Sequence, residues 1–128
     1  MKRFNGVCII TQDAQKLKDF YYAILQIEPD GNDVFAPIIV EGMELAFFTG
    51  EGMQRMAPGT MTRAGWGNFT LEFEVEDVDL EYERMTKMGV PVVKPPETYP
   101  WGRRSAWFRD PDGNIINFYA RTTAINLV

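Results

Sequence analysis

The stretch TLEFEVEDVD, residues 70–79, gives the clearest two-residue period in the chain. Over residues 69–76 apolar side chains alternate with polar ones, mostly glutamates, which predicts a strand with one buried face. Asp77 or Asp79 then supplies an N-cap for a helix whose apolar residues recur at helical spacing. Gly89 stands where a helix commonly ends. This part of the chain therefore predicts a strand followed directly by a helix.

Three more strands are predicted after this helix, at Val90–Val93, Arg104–Arg109 and Ile115–Ala120. Between the first two of them, three prolines predict a stiff loop, because proline cannot donate a hydrogen bond to a strand ladder. These prolines are Pro95, Pro96 and Pro100. Asp112-Gly113 predicts a tight hairpin turn between the last two strands.

The first half of the chain has the same order of elements. A β-rich run over residues 5–12 predicts a strand, Asp13 supplies an N-cap, and helical spacing of apolar residues predicts a helix over 13–25. Two further strands are predicted at Val34–Val40 and Met43–Phe48. Placing Asp13 on Asp77 aligns the two halves at an offset of 64 residues. Two tandem units of an α+β fold are predicted, because each alone would leave a sheet face uncovered.

The connection between the halves has no hydrophobic period. Residues 50–67 contain five glycines, one proline and three methionines, a composition typical of a linker or a mobile flap. We therefore predict a single domain over 1–128, with one module at 1–50, a linker or flap at 51–67 and a second module at 68–128.

The chain contains no histidine. Histidine is the commonest metal ligand and general base near neutral pH, so the composition excludes Ser/His/Asp triads and histidine-based metal sites. A net charge of -5 disfavours nucleic acid, whose phosphates are bound through Lys and Arg. The single cysteine, Cys8, predicts no internal disulfide. With neither an export signal nor a long apolar run, the expected location is cytoplasmic, with no membrane partner.

Four segments carry a resemblance to a known family, namely FNGVCIITQD (4–13), DFYYAIL (19–25), TLEFEVEDVD (70–79) and PWGRRSAWFRDPDGNIINFY (100–119). They resemble the half-motifs of the glyoxalase/bleomycin-resistance, or vicinal oxygen chelate, superfamily, and DPDGN at 110–114 is the most specific piece. The resemblance covers nearly the whole chain. It implies two βαβββ modules that form a curved mixed sheet with a concave ligand cavity, and it implies a homodimer.

Metal-using members of this superfamily take four ligands from matching positions of the two modules. The resemblance places Gly6, Ala46, Thr70 and Asn117 at those positions. Glycine and alanine have no ligand side chain, and threonine and neutral asparagine are poor ligands for Zn, Ni, Mn or Fe. The resemblance therefore points to a metal-free, bleomycin-resistance-like branch, and neither a metal nor another cofactor is expected.

Side chains alternate across a strand, so the same four positions indicate which neighbours face the cavity. The predicted ligand-binding residues are Phe48, Thr70, Glu72, Glu74, Trp101, Trp107, Asn117 and Tyr119. An aromatic lining with two or three carboxylates suits a planar or cationic organic molecule. The alternatives are solvated glutamates and tryptophans that serve the core, a lid or a dimer interface, Trp66 among them. Arg103 and Arg104 are expected to pair with surface carboxylates, with an anionic ligand as the alternative.

Three classes of function remain open, and the residues favour the first. It is a metal-independent binding protein that sequesters an aromatic or cationic compound such as an antibiotic. The second is a non-metal lyase or isomerase that uses a buried Glu72 or Glu74 as its general base. The third is a structural or regulatory module whose sheet serves only for dimerisation, and unusual metal binding through carboxylates is a further alternative. A buried glutamate without an ion partner would favour the enzyme, whereas an open wet groove would favour binding.

Overall fold

The computed structural model describes residues 2–27, 38–62 and 69–122. Its elements in chain order are β1 (Gly6–Thr11), α1 (Ala14–Leu25), β2 (Ile38–Val40), β3 (Met43–Thr49), α2 (Gly50–Met56), β4 (Thr70–Glu74), α3 (Val78–Lys87), β5 (Val92–Tyr99), β6 (Arg103–Arg109) and β7 (Ile115–Arg121). The chain divides into two compact units, Met1–Ala64 and Gly65–Val128. This architecture belongs to the predicted α+β class. Among the described residues, no helix has the length and apolar character needed to cross a membrane.

The described part of the first unit is a three-stranded sheet with α1 against one face. The strand order is β1-β3-β2, with β1 parallel and β2 antiparallel to β3. Tyr21 of α1 stacks on Phe47 of β3 with ring centroids 5.3 Å apart, and Leu17 and Ile24 are buried on the same side of the helix. This is the predicted amphipathic helix. Of the predicted strand Val34–Val40, the first four residues lie outside the described part of the chain.

The second unit repeats this arrangement with four strands in the order β4-β7-β6-β5. β4 is parallel to β7, and the other two pairs are antiparallel. Phe118 of β7 packs edge to face against Phe73 of β4 and Phe108 of β6, at 5.9 and 5.7 Å between ring centroids. The ring of Tyr82 on α3 lies 6.1 Å from that of Phe108. One face of the sheet is therefore a core face, and α3 covers it.

Matching aspartates begin the helices of the two units. The Asp13 carboxylate accepts a hydrogen bond from the backbone N–H of Lys16 (3.0 Å), and the Asp77 carboxylate accepts one from that of Leu80 (3.1 Å). Asp77, rather than Asp79, is thus the N-cap of α3. The predicted alignment of the halves is confirmed at these caps, because each satisfies a backbone donor that the helix leaves free.

The segment predicted as a linker or flap begins with a helix that was not predicted from the sequence. α2 is capped by Thr49, whose hydroxyl accepts a hydrogen bond from the backbone N–H of Gly52 (2.9 Å). A Cβ atom at Gly52 would collide with the ring of Phe48. The glycine therefore lets the helix approach this ring, while in the sequence it hides the helical pattern. Residues 63–68, with Trp66, lie outside the described part of the chain.

The prediction of a proline loop is wrong, because Pro95 and Pro96 lie within β5. Within the described residues β5 lies at the sheet edge beside β6. Its register shifts twice, between Val92 and Lys94 and between Lys94 and Glu97. Prolines are tolerated at edges and bulges, where no ladder hydrogen bond is required from their nitrogen. The strand consequently continues as far as Tyr99, and its side chains belong to the sheet.

Candidate functional site

We call the face of the second-unit sheet opposite α3 the distal face. Its side chains alternate with the core residues and include Glu72, Glu74, Lys94, Trp107, Asn117 and Tyr119. Residues directly opposite each other in neighbouring strands share a face. Asn117 is paired with Glu72 on one side and with Trp107 on the other, and Trp107 is paired with Lys94. These four residues therefore form one row across the four strands.

A second row runs beside the first. Tyr119 is paired with Glu74 and with Ser105, and Thr70 lies on the same side of β4 as Glu72. The second unit thus brings six of the predicted ligand-binding residues to one face, namely Thr70, Glu72, Glu74, Trp107, Asn117 and Tyr119. Whether these side chains contact a ligand stays a prediction.

Two carboxylates of the distal face, those of Glu72 and Glu74, are paired with arginines, whereas Glu97, opposite Ser105, is exposed. Glu72 accepts a hydrogen bond from Arg103 Nη1 at 2.9 Å, and Glu74 lies 3.4 Å from Arg121 Nε. The guanidinium of Arg103 also lies 3.9 Å from the centroid of the Tyr119 ring. The predicted lining had free carboxylates, whereas in the structure Glu72 and Glu74 are neutralised by arginines beside the aromatic rings. The expected pairing of Arg103 with a surface carboxylate is confirmed.

Both candidate general bases are accessible to solvent. The side chains of Glu72 and Glu74 are 46% and 54% exposed. A general base of the predicted kind is a buried carboxylate without an ion partner, and neither glutamate has those surroundings. Their catalytic role stays a prediction that this arrangement does not favour.

Arg104 lies on the opposite face of β6 and joins the sheet to α3. Its Nε and Nη2 donate to the two Asp79 oxygens at 2.9 and 2.7 Å, and Nη1 donates to the Thr98 hydroxyl at 3.0 Å. The hydrogen bonds from Arg104 hold the pKa of the Asp79 carboxyl below its ordinary value. Arg104 is thus confirmed as a partner of a surface carboxylate, in a structural role.

A group of aromatic side chains surrounds one ammonium at the β5 edge. Lys94 Nζ lies 4.2 Å from the ring centroid of Tyr99 and 5.1 Å from that of Trp107. Trp101 stacks on Tyr99 with centroids 4.6 Å apart and an interplanar angle of 13°. We call these four residues the aromatic cluster. The sequence did not assign Lys94 and Tyr99 to the site, because the strand that carries them was predicted to be a loop.

Three buried polar atoms of this region form no hydrogen bond within the described residues. They are Tyr99 Oη, Trp107 Nε1 and Asn117 Oδ1. A buried polar group without a partner costs roughly 1–3 kcal/mol. Trp107 and Asn117 are direct cross-strand neighbours, so a donor and an acceptor lie side by side at the centre of the distal face. The hydrogen-bonding capacity of these atoms is thus unused within the described residues.

The corresponding face of the first unit combines small residues with Ile10, Glu44 and Phe48. Gly6, Cys8 and Ala46 lie on the side of β1 and β3 opposite α1, and a Cβ atom at Gly6 would collide with the backbone oxygen of Glu44. Burial, followed by the nearby Glu44 carboxylate, raises the pKa of the Cys8 thiol above its ordinary value. Phe48 adds an aromatic ring to this face, and Gly52 of α2 lies against that ring. That Phe48 shares a cavity with the second-unit residues stays a prediction.

The tandem arrangement is also that of a known family. A family model described as the glyoxalase/bleomycin resistance protein/dioxygenase superfamily matches residues 3–118. The chain belongs to this superfamily. The resemblance inferred from its sequence segments is thereby confirmed at the level of the family.

Similar proteins extend this finding to the fold. Over 52 residues the chain is 46% identical to the uncharacterized protein YraH of Bacillus subtilis (strain 168), a match that covers 40% of this chain and 41% of the relative. A superfamily structure from Sphaerobacter thermophilus is 28% identical, with a TM-score of 0.68 over 94% of this chain and 98% of that one. Another, from Nocardioides, is 21% identical, with a TM-score of 0.79 over 100% and 89% of the two chains.

The residues at the superfamily's metal-ligand positions do not fit a transition metal. Gly6 and Ala46 provide no donor atom, and Thr70 and Asn117 provide only neutral oxygens. The contact at Gly6 leaves no room for a ligating side chain there. In the part of the chain that the structure describes, no group of three His, Cys, Asp or Glu residues is placed to hold an ion.

Proposed function

We propose that this member of the superfamily binds an aromatic small molecule on the distal face, independently of a metal, and sequesters a compound such as an antibiotic. The observation that carries the proposal is the pair of neighbours Trp107 and Asn117, whose buried Nε1 and Oδ1 atoms form no hydrogen bond within the described residues. A planar molecule with a donor and an acceptor would satisfy both atoms.

Ring contacts would supply the rest of the binding free energy. Tyr119 lies in the row next to Trp107, and Tyr99 and Trp101 extend the aromatic surface toward the β5 edge. One aromatic contact contributes about 0.5–1.5 kcal/mol beyond the area that it buries. Several such contacts, after ordering costs are subtracted, support micromolar affinity.

The distal face supports the aromatic part of the sequence-based hypothesis better than the cationic part. A cationic ligand that used Glu72 or Glu74 would have to displace Arg103 or Arg121. Arg103 also lies over the Tyr119 ring that such a ligand would use. We therefore specify the ligand by its planar aromatic shape and not by a positive charge. Antibiotic resistance, a homodimer and a cytoplasmic location stay predictions.

Calorimetric titration with 2-naphthamide, in the presence of EDTA, tests the proposal. We expect saturable micromolar binding to the wild type and at least tenfold weaker binding to Trp107→Leu. Phe69→Leu is the matched control, because Phe69 is an exposed aromatic residue that precedes β4, and its affinity should change less than twofold. No saturable binding to the wild type, or equal binding by Trp107→Leu, would refute the function.

Metal independence is tested on the same preparation. Elemental analysis after dialysis should find no stoichiometric Zn, Ni, Mn or Fe, and removal of EDTA from the titration should leave the affinity for 2-naphthamide unchanged. One retained metal ion per chain would contradict this part of the proposal.

A further inference from the structure

The charges of the distal face are not fully compensated within the described residues. Arg103 and Arg121 are paired with glutamates, and Arg109 donates from Nη1 to the Gly113 carbonyl at 2.7 Å. Lys94 has no carboxylate oxygen within 4.0 Å among those residues. The Lys94 ammonium therefore takes no part in the ion pairs of this face among the described residues.

The surroundings of Lys94 stabilise its charge without using its hydrogen-bond donors. The rings of Tyr99 and Trp107 lie within 5.1 Å of Nζ, and an aromatic face attracts a cation electrostatically. A ring cannot accept the three N–H bonds of an ammonium in the directional way that an oxygen can. The buried Trp107 Nε1–H and Tyr99 hydroxyl form no hydrogen bond among the described residues. The aromatic cluster therefore holds hydrogen-bond donors that have no acceptor among the described residues.

Charge and shape together exclude two other ligand classes at the cluster. A cationic ring would meet the positive charge of Lys94, whose Nζ already lies over the Tyr99 ring. A phosphate without a ring is generally bound by bidentate arginines or by a helix N-terminus, whereas the arginines of this face are engaged with Glu72, Glu74 and Gly113. A singly charged group on a planar ring remains.

We propose that the ligand class of this protein is planar aromatic acids, whose carboxylate is bound by Lys94 Nζ while the ring lies against Trp107. This inference rests on the proposed function, since it names the ligand of the same face. Asn117 Oδ1, in the same row as Trp107 and Lys94, accepts from a hydroxyl or amino group on the ring. The ligand proposed here is an anion, whereas the sequence-based hypothesis was a cation.

Three probes of nearly equal shape separate charge from ring contact. They are 2-naphthoate, 2-naphthamide and 2-naphthylmethylammonium, titrated calorimetrically into the wild type. We expect 2-naphthoate to bind at least tenfold more tightly than 2-naphthamide, which corresponds to about 1.4 kcal/mol. The ammonium probe should bind more weakly than the amide. Equal affinities for the three probes, or preference for the ammonium, would overturn the inference.

Variants of Lys94 assign the preference to its ammonium. Lys94→Met should bind 2-naphthoate and 2-naphthamide with equal affinity, and Lys94→Arg should keep part of the preference. Lys87→Met is the control, because Lys87 is an exposed lysine of α3 that pairs with Glu83, and it should retain the full tenfold ratio. Circular dichroism melting of each variant establishes that it is folded. A tenfold ratio that survives in Lys94→Met would refute the role of Lys94.

The outcomes distinguish this inference from the function on which it rests. If none of the three probes binds the wild type, the proposed function fails. If 2-naphthamide binds and depends on Trp107, but 2-naphthoate binds no better, the function stands and the preference for aromatic acids is wrong.

Discussion

The described strands of the two units begin with the same pairing order but differ in the face that lies opposite their helix. In both, the first strand runs parallel to the last, and Cys8 is paired with Ala46 as Glu72 is paired with Asn117. On the core faces, aromatic residues fill both units. On the opposite faces, Cys8 of the first unit stands where the second has Glu72, and Ala46 stands where the second has Asn117. The first-unit face also carries Ile10, Glu44 and Phe48. The scaffold is therefore repeated, while the buried polar side-chain atoms that lack a hydrogen-bond partner among the described residues lie in the second unit.

The largest effects should be equal in the two units, because they concern the shared core. Phe118→Ala and Phe47→Ala each remove a buried ring and should lower the free energy of unfolding by about 3–5 kcal/mol. Urea denaturation measures both. Trp101→Leu is the control, since that ring is 57% exposed, and it should change stability by less than about 0.5 kcal/mol. A loss below about 1 kcal/mol for either phenylalanine would break the equivalence of the cores.

A smaller effect should separate the two opposite faces. Gly6→Ala forces a Cβ atom against the backbone of Glu44 and should destabilise the protein by about 1–3 kcal/mol. Thr70→Ala, at the equivalent position of the second unit, meets no such backbone and should change stability by less than about 0.5 kcal/mol. Thermal and urea unfolding measure the difference. Equal effects would mean that the approach of β1 to β3 at Gly6 is not a distinguishing feature.

The helix caps should again be equivalent, with an effect of about 1 kcal/mol each. Asp13→Ala and Asp77→Ala remove carboxylates that accept from Lys16 and Leu80. Asn variants at the same positions keep a cap acceptor, and their stability in urea should stay close to that of the wild type. If Asp77→Ala were harmless, Asp79 would have to be reconsidered as the cap of α3.

The smallest effect concerns pH and is expected from an ion pair of the second unit, Asp79 with Arg104. The pKa of Asp79 lies below its ordinary value of 3.8 because Arg104 donates to it. The pair therefore contributes stability above that pH, and the contribution is lost as the pH falls through the lowered pKa. Asp79→Asn should flatten the dependence of the melting temperature on pH below 3.8. Gln15, the equivalent residue of α1, supplies a control through Gln15→Ala, which should leave the slope unchanged.

The sequence predicted most of the elements, and it failed where glycine or proline interrupts a period. The alternation around Glu72 and the Asp77 cap predicted β4 and α3 correctly, because local spacing determines both. α2 was missed since Gly52 hides the helical pattern. β5 was cut short because Pro95 and Pro96 are compatible with a strand only at an edge, and edge position depends on the whole sheet.

The candidate site was predicted as a set of positions but not as a charge distribution. The faces of Trp107 and Asn117 followed from alternation, since the bulges of this sheet are confined to β5. The pairing of Glu72 with Arg103 could not be predicted, because the two residues are separated by 31 positions and by the strand β7. Lys94 was missed with its strand. The sequence-based prediction of an acidic lining therefore omitted Arg103, Arg121 and Lys94, and the charge of Lys94 is the basis for the proposed anionic ligand.

The central claim is that recognition resides in the second unit, and nuclear magnetic resonance mapping tests it most directly. Protein labelled with ¹⁵N is titrated with 2-naphthamide in the presence of EDTA, and the shift changes are assigned to residues. We expect the largest shift changes at the indole N–H of Trp107 and the side-chain amide of Asn117. Largest changes on β1 and β3, or no saturable change at all, would contradict it.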